Sequence, residues 1–286
     1  MPAFVFALLS YFGWGTGDIF GAIAARKIGA YAATLWIFIF GIILFSFYIP
    51  FATKELLMLT GPLLLLNLGL GFFFVSGNIA INESLVRSNP SLALTIIGGF
   101  PALVVIFSLL FLGEHISSLQ FLVILIIFLG VFLCTLDLRM FKKKQRVDKG
   151  IIFALYAMVS LAIYFTFIKG IIREIGWFWP NFISFFWFPM IYFIMKWKQM
   201  KIENPIKTKS LIAIGASTFL LRMGDFAFNL GISSGFTTLV APIAGAYPTL
   251  SVILGFKVFK EPISMQQRIG IIVSLTGIVL LGLISI

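Results

Sequence analysis

Ten runs of roughly twenty mostly apolar residues follow one another along this chain, at about 3–25, 31–51, 59–82, 91–112, 118–137, 150–172, 178–196, 210–233, 237–258 and 265–285. Twenty residues of helix, rising about 1.5 Å each, match the ~30 Å hydrocarbon core of a bilayer. A single helix satisfies its own backbone in lipid, so each run is read as a transmembrane helix. A membrane barrel would alternate apolar and polar residues at every second position, and these runs do not. Composition points the same way. Of the 286 residues, 60% are apolar and 11% charged, with a mean hydropathy of +1.10, against about 25% charged residues in soluble domains. A water-soluble fold of this size could not hide so much apolar surface. The opening MPAFVFALLSYFGWG lacks the basic flank of a cleaved signal and is expected to stay as the first span.

The chain repeats itself at an offset of 147 residues. FPALVVIFSLLFLGEHISSLQ (100–120) aligns with YPTLSVILGFKVFKEPISMQQ (247–267), pairing Pro101 with Pro248, Glu114 with Glu261, Ser117 with Ser264 and Gln120 with Gln267. The register continues without a gap through Gly98 and Gly245, Asn82 and Asn229, and Gly77 and Gly224. Repeats are sought before any other feature because they fix architecture. Each half carries five spans, an odd number, so the halves must cross the membrane in opposite orientations, as transporter repeats often do. The fold expected is an all-α integral membrane protein of ten transmembrane helices in two inverted five-helix repeats, residues 1–139 and 148–286.

Charge distribution supplies an orientation. The net charge of +11 sits in short loops between apolar runs, which points to anionic lipid headgroups and not to nucleic acid. With the N-terminus outside, the inside loops hold Arg26, Lys27, Arg87, the cluster from Arg139 to Lys149, the lysines from Lys196 to Lys209, and Lys257, Lys260 and Arg268. The outside loops hold Lys54, Lys169 and Arg173. This bias puts both termini outside a plasma (inner) membrane that the chain crosses many times, as a monomer or homodimer. The single cysteine, Cys134, cannot form an internal disulfide and is read as a packing residue.

These features resemble the EamA type of the drug/metabolite transporter superfamily, over the whole chain as two tandem units. The residues that carry the resemblance are Pro101, Gly113-Glu114, Gln120 and Gly130, repeated as Pro248, Lys260-Glu261, Gln267 and Gly277, with FGWGTGDIFGAIAARKIG and AIYFTFIKG similar to the family's opening helices. The resemblance implies a secondary transporter exporting amino acids or related metabolites. A sugar, nucleotide-sugar or lipid-linked-sugar transporter of the same fold is the alternative, and a channel is less favoured. Members commonly keep both termini in the cytoplasm, with basic residues between helices two and three. Here that loop, PFATKELLMLTG, has one lysine and one glutamate, while the inter-repeat LRMFKKKQRVDKG is basic. The charge bias is followed.

Ionisable groups within spans cost roughly 2.5–3.5 kcal/mol on insertion scales and are function candidates by default. In LRMGDFAFNLG, Arg222, Asp225 and Asn229 join Thr218 as one polar stripe at helical spacing. The repeat maps Asn78 onto Asp225 and Asn82 onto Asn229. On the first helix Tyr11, Trp14 and Asp18 share a face; on the sixth, Tyr156, Ser160 and Tyr164 do. The expected substrate-binding set is Trp14, Asp18, Asn78, Asn82, Tyr164, Arg222, Asp225, Asn229 and Tyr247 around a central polar cavity. Blander roles stand beside it: an Arg222–Asp225 pair within one helix, asparagines as interhelical hydrogen bonds, and aromatics as packing. Asp18 has no basic neighbour on its own helix, which suits proton coupling or amine binding. Pro101 and Pro248 are expected to interrupt their helices as hinges. Glu114 and Glu261 are expected to cap the helices that follow them, and Glu83 to lie at the interface. No HExxH, Cys/His set, phosphate loop or GxSxG elbow is present, so no catalytic, metal or cofactor site is expected.

Overall fold

The computed structural model describes residues 2–88, 90–135, 149–260 and 262–285, which are helical wherever they are regular. The basic cluster from Arg139 to Arg146 and the second-copy Glu261 lie outside the described residues. The first half consists of α1 (Pro2–Ile28), α2 (Ala30–Phe45) running into a 3-10 turn (Ser46–Phe51), the short α3 (Thr53–Leu56), α4 (Gly61–Arg87), α5 (Pro90–Ile97), α6 (Phe100–Phe111) and α7 (Ser118–Thr135). The second consists of α8 (Lys149–Ile175), α9 (Trp179–Phe185), α10 (Phe188–Trp197), α11 (Leu211–Ser234), α12 (Thr237–Gly245), α13 (Pro248–Phe259) and α14 (Met265–Ile284). Among the described residues, nine helical segments are long and apolar enough to cross a membrane. The tenth expected span, 178–196, is divided into α9 and α10.

Proline explains where spans break. Pro101, Pro189 and Pro248 each lack the N–H that would bond back one turn, and each ring clashes with the carbonyl of that turn. The helices accordingly restart at α6, α10 and α13, each with its proline in the first turn. The interruptions expected at Pro101 and Pro248 are therefore present.

Packing follows the repeat. α1 lies along α11, and the equivalent α8 lies along α4; α7 pairs with α14 across the two halves. Small residues allow the backbones to approach, because association in lipid relies on close packing and not on apolar burial. A Cβ on Gly13 would sit 2.9 Å from the Gly224 backbone. The helices that follow Pro101 and Pro248 on the loop side, α7 and α14, start with matched capping boxes. Ser117 N donates to Gln120 Oε1 (2.9 Å) and Gln120 N to Ser117 Oγ (3.2 Å), with 2.9 and 3.2 Å again for Ser264 and Gln267. The caps expected from Glu114 are thus supplied by Ser117, and Glu114 is employed elsewhere. The Phe4 ring packs at Gly282 and Ala3 at Gly235, so the first and last helices meet at one end of the bundle.

Candidate cargo cavity and its closed counterpart

A cavity of about 490 Å³ opens at the end of the bundle where α1 finishes and α13 meets the turn into α14. Both halves contribute: α1, α5 and α7 on one side, α13 and the start of α14 on the other. Arg26, two residues from the end of α1, stacks over Phe259 with its Cζ 3.7 Å from the ring centre, which marks the mouth. Asp18 lies eight residues deeper on α1, about 12 Å along the helix axis. Its carboxylate is exposed to the cavity and, among the described residues, forms no hydrogen bond or ion pair. Tyr247, Pro248 and Ser251 line the same space.

Trp14, one turn further in, forms the partition. Its ring meets Tyr247 edge-on at 5.7 Å and stacks on Phe228 at 5.5 Å, while its Nε1 donates to Asp225 Oδ1 at 2.9 Å. Behind it is the polar stripe of α11. Arg222 Nη1 stands 2.8 Å from Asp225 Oδ2, and both side chains are buried. Phe38, Phe74 and Phe185 surround the guanidinium, at 5.2, 5.6 and 5.0 Å from its Cζ. An ion pair in this setting survives because each charge neutralises the other and the rings present their negative faces to the cation. The pair does not line the open cavity.

The remaining candidates divide. Tyr164 stacks on Phe74 at 4.5 Å and donates to Asn181 Oδ1 at 2.5 Å, close to the buried pair and away from the cavity. Asn78 Nδ2 donates to Phe74 O on its own helix, at 2.8 Å. Asn82 Nδ2 reaches Thr34 Oγ1 on α2 at 3.2 Å, and Asn229 Nδ2 reaches Trp177 O in the turn between α8 and α9 at 2.8 Å. Glu83, expected at the interface, is buried and takes hydrogen bonds from Tyr31, Arg87 and Lys198. Of the nine residues, the structure brings Asp18 and Tyr247 to the cavity and Trp14, Arg222, Asp225 and Tyr164 to the buried layer beyond it.

The opposite end is shut, by parts that the repeat makes comparable. A Cβ on Gly245 would fall 2.2 Å from Pro101 Cγ, so α12 is pressed onto α6. The equivalent pair, Gly98 and Pro248, faces each other across the open cavity. Where Asp18 and Tyr247 stand at the open end, the repeat places Phe165 and Phe100, and these rings stack at 5.5 Å. Glu114 completes the closure. It accepts from Thr237 N and Thr238 N, both at 2.8 Å, at the N-terminus of α12. Lys169 Nζ donates to Glu114 at 2.7 Å and to Gly235 O at 2.8 Å, with both charged side chains buried. Burial alone would raise the Glu114 pKa. The lysine and the two N–H groups outweigh it and hold the carboxyl below the ordinary range.

A model of the EamA-like transporter family matches residues 1–136 and again residues 148–283. The chain belongs to the EamA-like transporter family. It is also similar to an uncharacterised protein of Methanocaldococcus jannaschii, 28% identical over 91 residues, or 32% of this chain and 64% of the relative, which is less than two thirds of that protein's length. A solved crystal structure described only as that of a protein has the same fold, with a TM-score of 0.77 at 16% identity over 99% of this chain and 96% of the other. Membership in the EamA-like transporter family, with nine helices able to span a bilayer among the described residues, makes the chain a multi-pass membrane protein. The Lys169–Glu114 lock escapes a reading of the sequence, because Lys169, although inside the 150–172 run, is counted with the outside loops, and spacing gives Glu114 to its own helix. A usable signal is present: a lysine inside the apolar IYFTFIKGII run requires a carboxylate from elsewhere in the bundle.

Proposed function

We propose that this EamA-like protein is a secondary transporter of a small amine-bearing metabolite, amino acids and their relatives being the nearest class, and that it works by alternating access. The observation that carries the reading is the broken symmetry of one contact: Pro101 against Gly245 is closed, and its repeat counterpart, Pro248 against Gly98, is open. An inverted repeat can exchange such halves, and the exchange moves a central site from one face to the other. The cavity ends on Asp18, a carboxylate suited to an ammonium group or to a coupling proton. A sugar would call for a ring of hydrogen-bonding side chains, and much of this wall is apolar. The positive-inside rule assigns the open, basic end to the cytoplasmic side of the inner membrane.

Two engineered thiols in a Cys134→Ser background test the cycle. Ser251 lines the cavity, and its repeat counterpart Val104 is buried at the closed end. Ser251→Cys should react quickly with a membrane-impermeant thiol reagent from the basic side, and Val104→Cys slowly or not at all. A transported amine should slow the first and accelerate the second. Both thiols open at once would describe a channel, and no reciprocal response would remove the transporter cycle.

A further inference from the structure

The cavity is not bounded on all sides by thick protein. A second, smaller groove of about 360 Å³ runs between α5–α6 and α7, lined by Thr95, Ala102, Leu125, Phe128 and Leu129 among others. It shares Gly98 and Thr135 with the main cavity. At that level the described residues shared by the two spaces are one glycine and one threonine, whose hydroxyl donates to Val131 O of its own helix at 3.0 Å. A Cβ on Gly98 would meet only carbonyl groups of its own turn, at 3.1 and 3.5 Å, so among the described residues no side chain from a neighbouring helix fills the gap. Leu125, Leu129 and Phe132, which line the groove, are exposed on the apolar outer surface.

Two features then describe one ligand. Asp18 calls for a cation, and the groove on the far side of the thin wall calls for an apolar body. We propose that the cargo is an amphiphilic amine, an ammonium group on a hydrocarbon or aromatic body, and that it enters sideways from the leaflet at the basic end, between α5 and α7. This deepens the cargo-cavity reading and rests on it. The ammonium travels at the headgroup level, where a cation is tolerated, and the apolar body never leaves a low-dielectric path. Charge complementarity fixes the head of the ligand, and the apolar groove on the other side of a wall one residue thick fixes its tail.

The test uses the full chain in nanodiscs of phosphatidylcholine and phosphatidylglycerol, with octylamine, butylamine, octanol and octyl phosphate as probes. Binding is read by calorimetry after subtraction of partition into empty discs. Octylamine should bind at least tenfold more tightly than butylamine or octanol, and octyl phosphate should not compete. Asp18→Asn should weaken octylamine at least tenfold and leave octanol unchanged, while Asp18→Glu, which keeps the charge, should retain binding. Thr135→Phe, which narrows the shared wall, should slow octylamine association at least fivefold and leave butylamine alone. Equal binding to wild type and Asp18→Asn, with both variants melting together, would overturn the proposal, as would preference for octyl phosphate. Competition by lysophosphatidylethanolamine at the octylamine affinity would assign the same chemistry to a membrane lipid and not to a free amine. Proteoliposome flux separates the two levels of the claim. Octylamine bound at Asp18 but never moved would sink the transport reading alone. Flux of hydrophilic amino acids with no octylamine binding would sink the ligand class alone.

Discussion

At one end of this bundle Pro101 lies against Gly245; at the other, Pro248 faces Gly98 across open space. The same repeat builds both ends, so the difference comes from what each copy adds. The closed end carries Lys169, whose counterpart is Ala22, on the cavity wall. It carries stacked Phe165 and Phe100 where the basic end has Asp18 and Tyr247. The closed end thus has an ion pair and an aromatic plug, and the basic end has a carboxylate, a hydroxyl and room for a ligand. Near-symmetric halves have near-equal energies for facing either way, and a few kcal/mol of unequal side chains decide which face rests open.

The largest way to break that inequality is to remove Lys169. Cutting one partner from a buried ion pair typically costs about 3–5 kcal/mol, because the other charge is left uncompensated. Lys169→Met should therefore loosen α12 from the Glu114 loop and raise the labelling of Val104→Cys by at least tenfold, with less labelling of Ser251→Cys. No change in either rate would reduce the lock to a static brace. Protonation offers a milder version. The Glu114 carboxyl is held below its ordinary value of 4.5, so its contribution is complete above that value and fades as pH falls through the lowered one. Val104→Cys labelling, read with a pH-independent reagent, should stay flat as pH falls from 8 toward the ordinary carboxylate value of 4.5 and rise only below it. A rise near neutrality would point to another group.

Next in size are the two glycines. Gly245→Val puts a methyl-bearing carbon into Pro101, and overpacking of this kind costs about 1–3 kcal/mol. It should expose the Val104 position roughly ten- to a hundredfold more often. Gly98→Val meets only its own helix in the present arrangement. It should leave this state almost untouched, prevent the reverse closure and hold the basic end open. Opposite outcomes from equivalent substitutions are the signature of exchange. If both merely lower the melting temperature by similar amounts, the glycines serve packing alone.

How far the sequence can foresee this comparison depends on which physics is local. Helix positions follow from apolar run length, and the breaks at Pro101 and Pro248 from a missing N–H. The 178–196 span reads as unbroken, although Pro189 is as visible as the other two. The Arg222–Asp225 pair follows from i, i+3 spacing. What spacing cannot show is depth. Arg222, Asp225 and Asp18 all read as cavity groups, yet Trp14 separates the first two from the third. Asn82 and Asn229 share a repeat position, and each ties its helix to a neighbour distant in sequence, α2 for the first and the turn after α8 for the second. Spacing gives Glu114 to the nearest helix start, and the structure gives it to α12, more than a hundred residues away.

The smallest expected effect is also the control. Ser117 and Ser264 occupy the same repeat position, cap α7 and α14 with the same two hydrogen bonds at the same lengths, and sit at opposite ends of the bundle. Ser→Ala at an N-cap costs about 1 kcal/mol. If the two ends differ only through Lys169, Phe165, Phe100 and the groups facing them, Ser117→Ala and Ser264→Ala should lower the melting temperature equally and leave the Val104 and Ser251 labelling ratio where it was. A cap that shifted the ratio would mean that the loop carrying it moves between the two states. The asymmetry would then have to be sought in the α6–α7 and α13–α14 turns as well as in the lock.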